Sequence, residues 1–320
     1  MSILVYIESQ ENQIKKSSFE LMSYAKDLAK LISSELIAIV INCTNLSPLK
    51  DFGADKILTI SDDKLKLFNA HNYADLISNV AKNENSKKII LSDSVNSKYL
   101  AALLSVKLNA AYVSNIVSLP SSTTPFIVKR SAFSNKAFCE IKINSEIKIL
   151  SISKNSFGIT ESKSNPIIQN IEFNFKESGL FRESVEVYNG SVSIEDADVV
   201  VSAGRGLKGP ENWNIIEELA KTLNAATACS KPVSDMGWRP HSEHVGQTGK
   251  PVSANLYIAI GISGAIQHLA GVSSSKVKVV INNDPEAPFF KVADYGIIGD
   301  AFEVVPKLNE KLKAFKGENN

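Results

Sequence analysis

The sequence contains little that indicates a metal site, a disulfide framework or covalent catalysis. Its three cysteines, Cys43, Cys139 and Cys229, lie far apart among 320 residues and form no Cys-x-x-Cys pair. This spacing fits a reducing compartment. Gly-x-Ser-x-Gly, Walker and Cys–His signatures are also absent. His241 and His244 are three residues apart, but no other ligand cluster accompanies them. We therefore predict neither a catalytic residue nor a bound metal.

A charge excess and a long apolar run are absent too. The chain has 35 basic and 34 acidic residues, giving a net charge of +1. Nucleic acids and anionic membranes select basic surfaces, so neither is expected as the main partner. The longest apolar stretch, near Leu256 to Ile266, is far shorter than a membrane span. The N-terminus also lacks the features of a signal peptide. We expect a soluble, cytoplasmic protein without membrane insertion.

The hydrophobic pattern predicts two α/β domains. Apolar residues make up 44% of the chain, enough for two cores. In the first half, strand-like runs alternate with helical periods, which is typical of parallel βαβ units. Three successive short strands between 126 and 152 suggest an antiparallel addition to that sheet. A polar segment then precedes a second α/β pattern, so we predict domains at 1–190 and 191–320.

Polar residues follow the strands predicted in the second half. The carboxyl ends of parallel strands meet at one edge of a sheet, where ligands bind in open α/β folds. The polar groups therefore predict a ligand site, and Arg205 and Ser230 would lie in it. The predicted strands are Asp198–Ser202, Ala225–Cys229, Leu256–Ile260, Val277–Ile281 and Ile297–Ile298, and the predicted helices are Glu211–Leu223, Ser263–Ala270 and Pro306–Phe315.

Two glycine-rich segments favour a phosphorylated cofactor but leave alternatives open. Residues 204–209 match Gly-x-Gly-x-x-Gly, yet no acid follows at the end of the next strand to hold a ribose. The glycines could equally form a tight turn. Ser263 and Gly264 are expected to open a helix whose free N–H groups suit a pyrophosphate. His268 could instead be a satisfied histidine near a helix end, and Asn282 and Asp300 could be capping or turn residues.

Four segments resemble the alpha subunit of the electron transfer flavoprotein family. The resemblance is very specific across the second half. In the first half it is looser, and a family segment that reads Arg-Pro-x-Tyr-Ala-Gly-Asn-Ala appears in drifted form at 130–137. The matching segments are Val200–Lys208, Val245–Lys250, Tyr257–Gly271 and Ile281–Pro288, continued by Ala293–Ile297 and Asp300.

The resemblance implies an electron carrier and not an enzyme. Its N-terminal domain would be Rossmann-like and nucleotide-hydrolase-like, and would contact the partner. Its C-terminal domain would be a doubly wound parallel sheet that binds FAD. The family's alpha subunit forms a heterodimer with a beta subunit, which holds AMP or, in bifurcating relatives, is expected to hold a second FAD. The heterodimer takes electrons from acyl-CoA dehydrogenases of fatty acid β-oxidation, and from related flavoenzymes, and delivers them to a quinone reductase.

The resemblance also assigns cofactor contacts. It implies that Thr248 lies at flavin N5 and His268 near flavin O2, where donor groups stabilise the negatively charged one-electron reduced state. Ser263 and Gly264 would then serve the pyrophosphate. The implied FAD-binding residues are Arg205, Ser230, Lys231, Val245, Gly246, Gln247, Thr248, Ser263, Gly264, Ala265, Ile266, Gln267, His268, Asn282, Asp300 and Ala301.

One residue departs from the family pattern. Lys231 stands where the family usually has arginine, so the charge is kept but the planar guanidinium is lost. Three alternatives to the carrier remain at this stage. They are a subunit of an electron-bifurcating flavoprotein, a self-contained flavin-dependent oxidoreductase, and a nucleotide-binding regulatory protein without redox work. The oxidoreductase would need an acid, a base or a nucleophile facing the flavin, and no convincing candidate is present.

Overall fold

The chain forms two compact units in the computed structural model. The model describes residues 1–133, 135, 137–175, 183–184, 193–195 and 197–318. The first unit comprises Met1–Phe133 and Ala137–Val185, and the second comprises Ser134–Lys136 and Glu186–Asn320. Both units are mixed α/β and contain parallel sheets, as the sequence predicts. The expected boundary between 190 and 191 lies outside the described residues.

The first unit begins with a strand and returns to its sheet after each helix. Its helices are α1 Lys16–Leu31, α2 Ala70–Asn83 and α3 Val95–Leu108. Its strands are β1 Ser2–Ile7, β2 Ser9–Gln10, β3 Gln13–Ile14, β4 Glu35–Ile41, β5 Lys56–Ile60, β6 Ser86–Ser92, β7 Ala111–Ile116, β8 Ser122–Thr123, β9 Phe126–Ala132, β10 Ala137–Ile143, β11 Lys148–Ile152 and β12 Ile167–Asn170.

Parallel pairing dominates this sheet. Within the described residues the order is β10-β9-β7-β11-β6-β1-β4-β5-β12, with β8 paired to β9. The strands β9 and β10 form the expected antiparallel addition. The expectation for the third strand of that group was wrong, because β11 lies between β6 and β7 and pairs with both in parallel. Its last four residues are buried, as befits a strand covered on both faces.

Burial on both faces explains why β1 occupies the centre. All six of its residues are buried. Ile3 and Val5 join the core beneath α1, whereas Leu4 and Tyr6 join the core beneath α2 and α3. Successive side chains of a strand point to opposite faces, so an unbroken apolar strand needs cover on both.

In its described residues, the second unit repeats this plan with five strands. They are β13 Val199–Ala203, β14 Ala226–Cys229, β15 Leu256–Ile260, β16 Val277–Asn282 and β17 Tyr295–Ile298, and the helices are α4 Asn214–Leu223, α5 Lys231–Asp235, α6 Ile266–Val272 and α7 Ala301–Glu318. The sheet order is β14-β13-β15-β16-β17, and every pair is parallel. One buried cluster lies on each face: Tyr257 and Phe289 belong to one, and Trp213 and Ile216 to the other. In the described part of the chain, no helix has the length and apolar character needed to span a membrane.

A buried carboxylate closes the carboxyl ends of β1 and β6. Glu8 is 5% exposed, and its Oε1 accepts hydrogen bonds from the hydroxyls of Ser92, Ser94 and Ser97 at 2.5, 2.5 and 2.8 Å. Lys15 Nζ lies 3.7 Å from Oε2. Because β1 and β6 are neighbours, these loops meet, and the buried Glu8 carboxylate finds its hydrogen-bond donors within the protein.

Replacing Glu8 by alanine should destabilise the first unit. The change removes the common acceptor of three serine hydroxyls, so the free energy of unfolding should fall by roughly 2–4 kcal/mol. Glu8→Gln keeps an acceptor oxygen and should cost less. Both tryptophans, Trp213 and Trp238, lie in the second unit. A urea midpoint that falls in circular dichroism but not in tryptophan fluorescence would locate the loss. Equal stability of all three proteins would contradict this role of Glu8.

Candidate functional site

The carboxyl edge of the second sheet gathers the loops of the candidate site. The chain passes from β13 to β14 on one side and then to β15 on the other, so the strand order reverses between β13 and β15. Such a reversal opens a crevice between the loops that leave the two strands. The loops here begin at Gly204 and Gly261, and both predicted strand ends lie at this crevice.

Glycines let these two loops pack backbone against backbone. A side chain at Gly206 would put its Cβ 2.6 Å from Gly261 Cα, and one at Gly204 would lie 2.3 Å from Gly261 O. The Gly206 N–H donates a hydrogen bond of 3.2 Å to Gly261 O. The glycine-rich segment 204–209 is thus a short 3-10 turn, and packing against the next loop explains its glycines.

A cavity of about 560 Å³ opens beside these loops. Its volume is in the range of small-molecule and cofactor sites. Twelve of the sixteen residues predicted to bind a cofactor line it: Arg205, Ser230, Lys231, Val245, Gly246, Gln247, Thr248, Ser263, Ala265, Gln267, His268 and Asn282. The other four, Gly264, Ile266, Asp300 and Ala301, are not part of its wall.

The loop 245–250 is fastened to α6 through main-chain contacts. Gln247 N donates to Gln267 O at 2.8 Å. A Cβ at Gly271 would lie 2.6 Å from Gly246 Cα, so only glycine allows the helix and the loop to approach this closely. The side chains of Gln247 and Thr248 are exposed at the cavity. The main chain therefore fixes the loop and leaves two polar side chains for a ligand.

The helix after β15 begins later than expected. We predicted a helix over 263–270, but α6 starts at Ile266. Gly264 has φ +89°, a left-handed conformation outside an α-helix. Ser263 O accepts a hydrogen bond from Phe289 N at 3.1 Å. Ser263 and Gly264 therefore form a turn before the helix, and the expected helix opening at these residues was wrong.

His268 is a buried histidine with one hydrogen-bonded ring nitrogen. It is 6% exposed, and its Nε2 shares a 2.9 Å hydrogen bond with the Tyr257 hydroxyl. Its Nδ1 has no hydrogen-bond partner and is sealed from solvent. Burial lowers the pKa of His268 to about 4; nearby His244 also lowers it, and the backbone of Val245 opposes the shift. The imidazole is therefore neutral at pH 7.

Asn282 and Asp300 stabilise the local structure. Asn282 Nδ2 donates to Ile262 O at 3.1 Å, and its Oδ1 accepts from Asp284 N. Asp300 Oδ1 accepts from Phe302 N at 2.8 Å, at the start of α7. The capping and turn roles considered from the sequence are present at both positions. Asn282 also reaches the cavity, whereas Asp300 does not.

Sequence reasoning missed several residues of the cavity wall. His244 is the most informative, because it had been considered only as a metal ligand together with His241. The two rings lie 6.4 Å apart, and the described residues contain no cluster that could hold a metal. Its position directly before the loop 245–250 was the available signal. The other missed residues are Gly206, Pro232, Asp235, Gly261, Ile262 and Asp284.

Comparison with protein families gives two matches that together span most of the chain. Residues 3–171 match the electron transfer flavoprotein domain, and residues 193–273 match the electron transfer flavoprotein FAD-binding domain. The second match includes the loops after β13, β14 and β15 and the loop 245–250.

Curated relatives match over almost the whole length. Electron transfer flavoprotein subunit alpha of Bacillus subtilis (strain 168) is 34% identical over 317 residues, with 97% of each chain covered. The subunit of Mycobacterium leprae (strain TN) is 31% identical, covering 98% of this chain and 99% of that protein. The mitochondrial subunit of Oryza sativa subsp. indica is 33% identical, covering 98% and 90% respectively.

The buried imidazole predicts a pH dependence of stability. A histidine in the unfolded chain has a pKa near 6.5, whereas the pKa of folded His268 is about 4. Between these values the unfolded state binds a proton that the folded state does not, so the unfolding free energy falls as the pH falls. The loss for the ligand-free chain should reach about 3 kcal/mol at pH 4.

Urea unfolding followed by tryptophan fluorescence between pH 4.5 and 7.5 measures this contribution. The His268→Gln variant should show a flatter curve than the wild type. His71→Gln, which replaces an exposed histidine of the first unit, serves as the matched control and should follow the wild type. Parallel curves for His268→Gln and wild type would contradict the prediction.

Proposed function

This chain belongs to the electron transfer flavoprotein family as an alpha subunit, and we propose that it holds FAD in the cavity of its second unit and relays electrons between other proteins. The supporting observation is the cavity itself. It lies at the strand reversal, and the exposed side chains of Gln247 and Thr248 face it. FAD supplies the electron chemistry; the chain would bind and orient it and tune its potential.

The residues present fit a flavin. The Thr248 hydroxyl can both donate and accept a hydrogen bond, so it can serve flavin N5 in either redox state. His268 lines the same cavity, and it is neutral at pH 7 because burial lowers its pKa to about 4. Arg205 and Lys231 bring positive charge to the same cavity. We propose the sixteen residues named from the sequence as the FAD contacts, with Asp300 and Ala301 dependent on an adenosine end that extends past the cavity.

We further propose the partners that the family resemblance implies. A beta subunit completes a heterodimer and carries AMP or a second FAD, and residues 1–190 contact it. The donors are acyl-CoA dehydrogenases of fatty acid β-oxidation and related flavoenzymes, and the acceptor is a quinone reductase, with the heterodimer in the cytoplasm. The first unit is a Rossmann-like, nucleotide-hydrolase-like domain, and the second is a doubly wound FAD domain. Electron bifurcation is the second candidate function.

The flavin spectrum of the purified heterodimer tests the proposal. Co-produced with a beta subunit, the chain should copurify with FAD and absorb in the visible range. The complex should accept electrons from a reduced acyl-CoA dehydrogenase and not from a free acyl-CoA. A colourless complex would refute FAD binding, and direct reduction by the free substrate would favour an oxidoreductase.

A comparison of two single glycine substitutions, one in α6 and one control, tests where FAD binds. Gly271→Ala would push Gly246 and the loop 245–250 away from α6, so FAD affinity should fall by tenfold or more, about 1.4 kcal/mol. Gly317→Ala is the control, because a Cβ there meets nothing within 4 Å. Equal FAD affinity in both variants would argue against this cavity.

Lys231→Arg should raise the potential for adding the first electron. Arginine offers a planar, delocalised cation with several donors, whereas lysine offers a single ammonium. Extra stabilisation of the reduced flavin by roughly 0.5–1.5 kcal/mol corresponds to about 20–60 mV for one electron. Potentiometric titration of the heterodimer measures both one-electron potentials. Lys221→Arg, on the exposed face of α4, is the control. Unchanged potentials in Lys231→Arg would refute the role of this position.

A further inference from the structure

His244 is a histidine of the cavity wall to which nothing above assigns a role. It is 5% exposed, and its backbone is fixed by hydrogen bonds from its N–H to His241 O and from Lys250 N to its own carbonyl, at 3.1 and 2.9 Å. Its ring lies where a side chain at Gly249 would be, and it is in contact distance of Gly246. A Cβ at Gly249 would lie 2.8 Å from Nδ1, and one at Gly246 would lie 3.4 Å from Nε2. The ring is therefore held against the loop that carries Gln247 and Thr248.

The nitrogens of this ring are open to a ligand. The neighbouring imidazoles are already engaged, His241 with the Ser234 hydroxyl and His268 with the Tyr257 hydroxyl. The hydrogen bonds of the described residues give the ring of His244 no such partner. Its nitrogens are not among the buried polar atoms sealed from solvent, unlike Nδ1 of His268. The cavity wall thus contains an imidazole whose nitrogens are available for hydrogen bonds to a ligand or to water.

The surrounding charges make this imidazole sensitive to added negative charge. Burial lowers the pKa of His244, and Asp235 on α5 opposes the shift. His241 and Lys231 lower the pKa as well, and His268 is close enough to interact electrostatically. The ring is therefore neutral at pH 7 in the ligand-free chain. A negative charge in the cavity favours the protonated form and raises the pKa.

We propose that His244 is a further flavin-contacting residue, and that its imidazole takes up one proton from solvent when an electron enters the bound flavin. The proposal rests on the proposed function. The electron comes from a reduced flavoenzyme, or from dithionite in the experiment, and adds one negative charge to the cavity. The proton binds the free ring nitrogen of His244, no other bond forms or breaks, and reoxidation releases it. His268 is less suited, because Tyr257 occupies its Nε2 and its Nδ1 is sealed from solvent.

The pH dependence of the first one-electron potential tests this proposal. The heterodimer is titrated with dithionite under anaerobic conditions between pH 6 and 9. Each tenfold fall in proton concentration should lower the wild-type potential by up to about 59 mV over part of this range. His244→Gln should remove the slope, and His241→Gln should keep it. A flat wild-type curve, or a slope that persists in His244→Gln, would overturn the proposal.

Histidine NMR provides a second measurement. In the ¹⁵N-histidine-labelled heterodimer, the signal missing from His244→Gln, or from His244→Asn if glutamine prevents folding, identifies the ring. Its pKa should rise on reduction, and an unchanged pKa would overturn the proposal. The two failures are distinguishable. A heterodimer without FAD refutes the proposed function, whereas one that binds FAD but shows no proton uptake at His244 refutes only this inference.

Discussion

The parallel pairing of β13 with β15 is the constraint on which the candidate site depends. These strands run side by side over five residue pairs, ending with Ala203 beside Ile260, so the loops that leave them begin at the same level. At that level the two loops leave their strands side by side, so their backbones must be able to approach closely without a clash. Gly204, Gly206 and Gly261 allow that approach. The cavity therefore depends on the strand order and on glycines, whose lack of a side chain lets the loops pack closely.

A second close approach positions the groups that face the cavity. Gly271 lies against Gly246, which brings the main chain of the loop 245–250 against α6, and the buried side chain of Val245 joins the same core cluster as Val272 of α6. Residues held by their backbone keep their side chains available, and this is how Gln247 and Thr248 remain exposed. The two histidines of the cavity wall are instead buried. Burial of His244 and His268 favours the neutral imidazole. The site thus combines buried neutral imidazoles with the exposed positive charges of Arg205 and Lys231.

The sequence predicted the presence of strands and helices well, but it predicted the pairing of one strand and the start of one helix poorly. The strand β15 has the bounds expected from its apolar run, because a local pattern determines burial. The third strand of the 126–152 group was misassigned, because adjacency in sequence suggested a meander. Its unbroken buried run, Ile149 to Ile152, was the signal of a central parallel strand. The start of α6 was missed because a positive φ at Gly264 depends on contact with Phe289, which no local pattern reveals.

The site residues also include some that the sequence identified and some whose role depends on contacts between distant segments. The family resemblance identified twelve residues that the fold brings to one cavity, although they come from several loops, from α5 and α6 and from the end of β16. It did not identify His244, because the position of that ring depends on its burial and on its contact with Gly249, where a side chain would collide with it. Asn282 and Asp300 carry structural hydrogen bonds that residue type alone could not distinguish from ligand contacts.

The polar side chains at the carboxyl edges of the two sheets differ in whether the protein itself engages them. At the carboxyl ends of β1 and β6, the Glu8 carboxylate accepts hydrogen bonds from three serine hydroxyls, so this buried group is satisfied within the protein. At the corresponding edge of the second sheet, Gln247 and Thr248 keep exposed side chains at the cavity, and His244 lies in its wall. Buried polar atoms without a hydrogen-bond partner occur in both units, for example Tyr112 Oη in the first and Ser202 Oγ in the second, so they do not distinguish the units. The cavity at the strand reversal, with exposed polar side chains in its wall, is the feature that favours the second unit as the cofactor-binding one.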